Sequence, residues 1–191
     1  MNEVRRLAAP FDERTALSLR AGEQVLLSGT VYAARDAAHR RLAEALRSGA
    51  PAPFPLAGQI IYYVGPSPAR AGEAVGSAGP TTASRMDEYL ELLFEHGLSA
   101  TIGKGQRSPE AVELHRRYRR VYFVTIGGAG ALLGKKVRSA RVLAYADLGP
   151  EAVRELAVED FPALVAIDAR GGDACAEGRA KYAALLNRPG P

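Results

Sequence analysis

Three cations stand where the chain leaves a strand and turns: Arg35, Arg85 and Lys104. Arg85 lies in Gly79-Pro80-Thr81-Thr82-Ala83-Ser84-Arg85-Met86-Asp87, in the first turn of a predicted helix. The helix dipole is positive at that end and favours Asp or Glu, so an arginine there calls for an anion. Free backbone N–H groups, the hydroxyls of Thr81 and Thr82 and a guanidinium would converge on one spot, a recipe for holding a carboxylate or phosphate. Arg35 follows a strand and opens a helix. Lys104 sits in Thr101-Ile102-Gly103-Lys104-Gly105, where two glycines let a ligand approach the backbone. Ligands of α/β sheets collect beyond the carboxyl ends of the strands, so three cations there suit one multiply charged anion, and a small dicarboxylate fits the count. Taken singly, each is an ordinary surface charge. The anion reading rests on the three together.

The elements that must position them follow from periodicity and punctuation. Gln24 to Val31 reads as a strand, and Asp36 to Arg47 as a helix capped by Asp36 and ended by Ser48-Gly49. The proline-rich Ser48 to Pro55 is a stiff connector, and Gln59 to Val64 is the next strand. Met86, Tyr89, Leu90, Leu93 and Phe94 recur at helical spacing, which predicts a helix over Thr82 to His96, capped by Thr81 or Thr82 and stopped by Gly97. A short strand at Ser99 to Ile102, a helix from Pro109 to Arg120 and a strand at Val121 to Ile126 come next. Arg141 to Ala146 and Ala163 to Ile167 are strands separated by a helix starting at Pro150-Glu151. Strands alternating with helices indicate a layered α/β domain.

The chain has 191 residues, 47% hydrophobic and 24% charged, the balance of one globular domain with a sizeable core. No apolar run reaches the ~18 residues of a membrane span, and Met1 to Arg6 lacks the apolar core of a signal peptide, so the expected compartment is the cytoplasm. Cys175 is the single cysteine: it forms no intrachain disulfide and cannot alone supply the thiolates of a zinc site or an iron–sulfur cluster. The formal charge of +4 makes a polyanion partner conceivable, with His115 to Arg120 the densest basic run. On a helix those arginines spread around more than one face, and neither interleaved aromatics nor a recognisable nucleic-acid module accompanies them.

Gly103-Lys104-Gly105 is no phosphate-cradling loop, because the upstream Gly97 is misplaced and no Ser or Thr follows the lysine. Gly127-Gly128-Ala129-Gly130, with Asp147 some way on, matches a dinucleotide turn in part; Gly134 falls late for it, and tight packing of a helix start explains the small residues equally well. A dinucleotide-binding α/β module on Gly127–Gly130 and a basic interaction or nucleic-acid-binding protein are therefore the alternative readings. His39 reads as a helix-surface or interhelical residue, and His96 as a partner for its helix C-terminus.

Together these stretches resemble the β subunit, or C-terminal domain, of class I iron–sulfur hydro-lyases, the group of class I fumarase and L-tartrate dehydratase. The matching text is Ser28-Gly29-Thr30-Val31 with Ala34-Arg35-Asp36-Ala37-Ala38-His39, then Gly79 to Thr82 with Arg85-Met86-Asp87, Ile102 to Gly105, and Gly127-Gly128-Ala129. Glu151-Ala152, Val158 to Pro162 and Ile167-Asp168 extend it over most of residues 10 to 170, and the ending with Gly171-Gly172-Asp173 departs from the family. The resemblance implies a single swivelling β/β/α domain of layered sheet and helices over residues 1–191; residues 171–191, where the chain departs from the family, are expected to form an irregular tail. It implies a [4Fe-4S] cluster held by a partner α subunit and not by this chain, no metal ligand here, a hetero-oligomer such as α2β2, and no nucleic-acid or membrane partner. It implies that Arg35, Arg85, Lys104 and Thr82 bind the carboxylates of a small dicarboxylate, that Asp36 and His39 support them, and that Thr81 is the base. A threonine hydroxyl is a poor base unless positive charge lowers its pKa, so positioning the substrate or relaying a proton to the partner is the other role open to Thr81.

Overall fold

The runs rich in β-branched and aromatic residues pair into the sheet that carries the cations. The computed structural model describes residues 4–186. Its strands are β1 (Arg5–Ala9), β2 (Gln24–Ala33), β3 (Ile60–Tyr62), β4 (Ala100–Gly103), β5 (Val121–Val124), β6 (Val137–Ala144) and β7 (Val153–Ile167). β1 to β5 are parallel neighbours in that order, and β7 runs antiparallel between β5 and β6. β7 is long enough to pair also with β2, from Gln24 opposite Leu164 to Ala33 opposite Arg154. Strands β2, β3, β4, β5 and β7 thus form a closed circuit of pairings, which leaves no free edge among them.

Alternation along these strands sorts the apolar side chains into two clusters. Ile60, Tyr62, Ala100, Ile102, Val121 and Phe123 join Leu27, Val31 and Phe161 in one. Ile61, Tyr63 and Tyr122 face the other way, into the cluster of the helices. The helices are α1 (Glu13–Ser18), α2 (Asp36–Arg47), α3 (Leu90–Glu95), α4 (Pro109–Tyr118), α5 (Gly130–Gly134) and α6 (Ala174–Leu186), with 3-10 turns at Ala83–Tyr89 and Ala146–Glu151. α2 buries Ala38, His39, Leu42, Ala43 and Leu46 at helical spacing, and fully burying a side chain such as Leu42 is worth about 1.5–3 kcal/mol. Gly29 sits at the irregularity where β7 shifts register against β2; its φ is +121°, and a Cβ there would overlap the carbonyl of Ala9 on β1. No helix among the described residues is long and apolar enough to cross a membrane.

Several expectations need correction. No helix starts at Pro150-Glu151: the segment is a 3-10 turn that feeds β7, whose 15 residues include the expected strand Ala163 to Ile167. The helix expected over Thr82 to His96 is a seven-residue 3-10 turn followed by the short α3. The irregular tail expected over 171–191 is helical at Ala174–Leu186, while residues 187–191, like residues 1–3, lie outside the described part. β1, α1 and α6 were not expected at all. His96 does meet its own helix end, with Nδ1 2.8 Å from the Leu92 carbonyl.

Candidate active site

Arg35 and Lys104 follow strand ends directly, and Arg85 lies in the 3-10 turn Ala83–Tyr89. Arg35 stands two residues beyond β2, its extended backbone placing it at the N-cap position of α2. Asp36 is therefore the first helical residue rather than the cap, a place where the helix dipole favours a carboxylate. Its Oδ2 accepts a hydrogen bond from Arg35 Nε at 3.2 Å and from Arg85 Nη2 at 2.8 Å. One carboxylate oxygen so joins two guanidinium groups separated by fifty residues of sequence. Glu151 takes the far side of Arg35, with Arg35 Nη2 2.8 Å from its Oε1, and its Oε2 accepts the Ala37 N–H at 2.8 Å. Beneath Arg35 lies Gly65, where a Cβ would come within 3.1 Å of Arg35 Cδ. The Arg85 side chain keeps 50% of its exposure and remains open to a ligand.

A second seam ties Thr81, Thr82 and Lys104 to the same end of the sheet. Thr81 donates its N–H to the Tyr63 carbonyl at 2.7 Å, Lys104 donates to the Thr81 carbonyl at 3.0 Å, and Ala83 donates to the Lys104 carbonyl at 2.9 Å. Thr82 and Lys104 thereby form a parallel bridge that prolongs β4. The Lys104 stem lies along Gly127, just past β5, and no carboxylate among the described residues pairs with its ammonium. Thr81 is 8% exposed. The dipole argument for an anion at Arg85 does not survive: the segment begins as a 3-10 turn, neither threonine hydroxyl caps it, and the N–H of Ala83 is already used. Side chains, not a helix terminus, gather the positive charge here.

His39 packs behind Asp36 rather than on the helix surface. It is buried against the rings of Tyr63 and Tyr89, with centroids 5.2 and 5.7 Å away. Burial, assisted by the charge of Arg107 and opposed by the Arg35 carbonyl and Asp36, lowers its pKa to about 4, so the ring is neutral near pH 7. Glu151, Gly65, Asp87 and Arg107 escaped sequence reasoning as site residues. Glu151 was hidden by the helix expected to start there, and nothing local marks Arg107, whose partner Asp87 lies twenty residues away.

The remaining motifs are taken up by structure. Gly130 and Gly134 of the five-residue α5 press against the backbone of Gly76 to Gly79 and the Ser77 side chain, which leaves no room for a Cβ at either. The basic run is neutralised piecemeal: Arg116 pairs with Glu113, Arg117 with Glu91 and Arg119 with Glu13. Among the described residues no three His, Cys, Asp or Glu are grouped as metal ligands. With Cys175 the single cysteine, this chain does not fit an iron–sulfur cluster. A cavity of about 720 Å³ lies between the Ser67–Ser77 loop and the α5–β6 segment, lined by none of the three cations. Arg35 and Arg85 instead lie partly exposed, joined through Asp36 and with Glu151 on the far side of Arg35, while Lys104 adds an exposed positive charge after β4.

A family model described as Fumarase C-terminus matches residues 3–178. The chain belongs to that family. It is 42% identical over 154 residues to fumarate hydratase 2 of Leishmania major, covering 80% of this chain and 27% of that protein. It is 40% identical over 149 residues to the anaerobic class I fumarate hydratase of Escherichia coli K12, covering 77% and 27%. Against the L(+)-tartrate dehydratase subunit beta of the same bacterium, identity is 30% over 182 residues, covering 93% of this chain and 89% of that subunit. The chain thus spans about a quarter of the fumarate hydratases and most of the length of the dehydratase subunit. This member of the Fumarase C-terminus family carries Arg35 just after β2, Lys104 just after β4 and Gly127-Gly128 just after β5, with Arg85 in the 3-10 turn between β3 and β4.

Proposed function

We propose that the chain is the β subunit of a heteromeric hydro-lyase that adds water to an unsaturated dicarboxylate such as fumarate, or removes it from a hydroxy-dicarboxylate such as malate or tartrate. The observation that carries this reading is the Asp36 oxygen shared by Arg35 and Arg85, which holds two guanidinium groups from distant parts of the chain side by side. In this reading the [4Fe-4S] cluster belongs to a separate α subunit, which supplies the Lewis acid at the substrate hydroxyl. The exposure of Arg85 supports this division, since it leaves part of the pocket to a partner. An oxygen-sensitive cluster also suits the reducing cytoplasm.

The part of this chain is charge and orientation. Arg35, Arg85 and Lys104 bind the two carboxylates, Thr82 lines the approach, and the substrate is held in one pose. Removing a proton from the carbon beside a carboxylate pushes charge into that carboxylate, so cations fixed there stabilise the transition state more than the ground state. Thr81, tied through its backbone to Lys104, handles the C–H proton, directly or as a relay to a group on the α subunit.

The test is anaerobic reconstitution of this chain with its cysteine-bearing partner, iron and sulfide, assayed on malate and tartrate. Activity is expected from the pair and not from the metal-free chain. Arg85→Ala is expected to lose about 2–5 kcal/mol of transition-state binding, as for a truncated charge pair. Hydratase activity from the lone chain would contradict the division of labour, and near-normal kcat/KM in the variant would remove Arg85 from the site.

A further inference from the structure

One buried ion pair joins the 3-10 turn that carries Arg85 to the loop that follows Lys104. The side chain of Arg107 is completely buried, and its Nε and Nη2 each stand 2.8 Å from Asp87 Oδ1. The other Asp87 oxygen accepts the N–H of Ser108 at 2.9 Å. The guanidinium spans three adjacent strands: it packs on the rings of Tyr63, beyond β3, and Tyr122, on β5, at 5.4 and 4.9 Å, and donates to Thr101 Oγ1 of β4 at 3.2 Å and to the Tyr63 hydroxyl at 3.3 Å.

The positions of the two partners along the chain matter most. Asp87 lies two residues after Arg85 in the same 3-10 turn, and Arg107 lies three residues after Lys104 in the same loop. The carbonyl of Gly105, between Lys104 and Arg107, accepts from the Tyr122 hydroxyl at 2.9 Å. The Tyr63 carbonyl, on the residue whose ring the guanidinium covers, accepts the Thr81 N–H. A 3-10 turn has poorer hydrogen bonds than an α-helix, and this one has no side-chain cap, so its geometry must be held from outside. Buried ion pairs add little net stability over apolar packing; their best-attested use is to specify one arrangement.

We infer that the Asp87–Arg107 pair, with Tyr122, is a positioning device that sets the separation of Arg85 and Lys104 and thereby the span of dicarboxylate the site accepts. This rests on the reading of the cations as carboxylate ligands. Asp87 and Arg107 touch no substrate; they act through the loops they join. Arg107 suits the task because its planar fork and delocalised charge allow two-point bonding to a carboxylate and stacking on two rings at once, which a lysine cannot reproduce.

The experiment uses two variants that lower the fold's stability to different degrees. Asp87→Asn combined with Arg107→Gln removes both charges but keeps amides of similar shape, and Tyr122→Phe removes only the hydroxyl holding Gly105. Each is combined with the α subunit, and kcat and KM for malate are measured. Separately, the metal-free chain is titrated with succinate and with the one-carbon-longer glutarate, following the Arg85 Nε–Hε and Lys104 Nζ signals by NMR. Positioning predicts displaced Arg85 and Lys104 signals, a loss of preference between succinate and glutarate, and a rise in KM of about tenfold or more in the double variant, since a displacement near 1 Å costs up to 10²-fold. A smaller rise is expected for Tyr122→Phe. A structural role alone would reduce the folded fraction and apparent kcat, leaving KM, the diacid preference and both signals as in the wild type; that pattern in Tyr122→Phe would overturn the inference even if the double variant fails to fold. Absence of wild-type activity with the α subunit would count against the proposed function, whereas the NMR titration judges the positioning device independently.

Discussion

At Asp36 one carboxylate oxygen faces two guanidinium groups, and this contact decides how the positive charge of the site is presented. Without the carboxylate, Arg35 and Arg85 would repel each other and lose their common orientation. Asp36→Asn makes the site more positive while loosening it, so kcat is expected to fall about tenfold, roughly 1.4 kcal/mol, with no rise in KM for a dianion. Steady-state kinetics of the reconstituted enzyme separate the two effects. The buried histidines make a second residue-scale prediction. Burial lowers the pKa of His39 to about 4, and that of His115 to about 3 with help from the Arg107 charge. Both values lie below the unfolded 6.5, so the unfolded chain binds more protons in the interval between. Their contribution to stability is complete above pH 6.5 and lost as pH falls toward 4, on the order of 3 kcal/mol for His39. Urea midpoints at pH 7.5 and 4.5 should differ less in His39→Leu than in the wild type.

Among the elements, the short connections after the strands do the positioning, and their glycines record where side chains must pass. Gly65 follows β3 with Arg35 lying across it, and its backbone is not in the left-handed region. A methyl group there would stand 3.1 Å from both Arg35 Cδ and the Pro150 carbonyl. Gly65→Ala should therefore push the guanidinium off Asp36 and Glu151, raising KM several-fold while the melting temperature changes by only a few degrees. Thermal melting and kinetics on the same preparation check this. The elements themselves were legible where punctuation was clear: α2 runs from Asp36 to Arg47, the bounds set by Asp36 and by Ser48-Gly49. β7 was legible only over Ala163 to Ile167, because a helix was expected to start at Pro150-Glu151, and Glu155, Glu159, Asp160 and Pro162 within it do not favour a strand. They are tolerated because Asp160 adopts a positive φ near the register shift against β2 and its N–H finds the Ser28 hydroxyl at 3.0 Å, a long-range accommodation that local propensity cannot reveal.

For the molecule as a whole, the closed circuit of strands and the helices packed outside it share their core strands, so the isolated chain should unfold as one cooperative unit. A single calorimetric transition, with calorimetric and van't Hoff enthalpies in agreement, is the expected result for the metal-free chain. Arg85 is half exposed, so dicarboxylates should bind the lone chain weakly and gain affinity in complex with the proposed α subunit, which isothermal titration of the two states checks.

Local signals were enough to assign the groups that follow each parallel strand: Arg35 after β2, the threonines and Arg85 in the segment between β3 and β4, Lys104 after β4 and the glycines after β5. Those assignments follow from alternation, punctuation and the family text, all of them local. Which of these groups meet is set by the packing of the whole sheet. It brought Glu151 from the turn before β7 to Arg35, moved Asp36 from cap to shared carboxylate, and buried Arg107 against Asp87. Such partners are chosen by strand order and register across the sheet, and the energy of an ion pair depends on the distance and burial that register imposes.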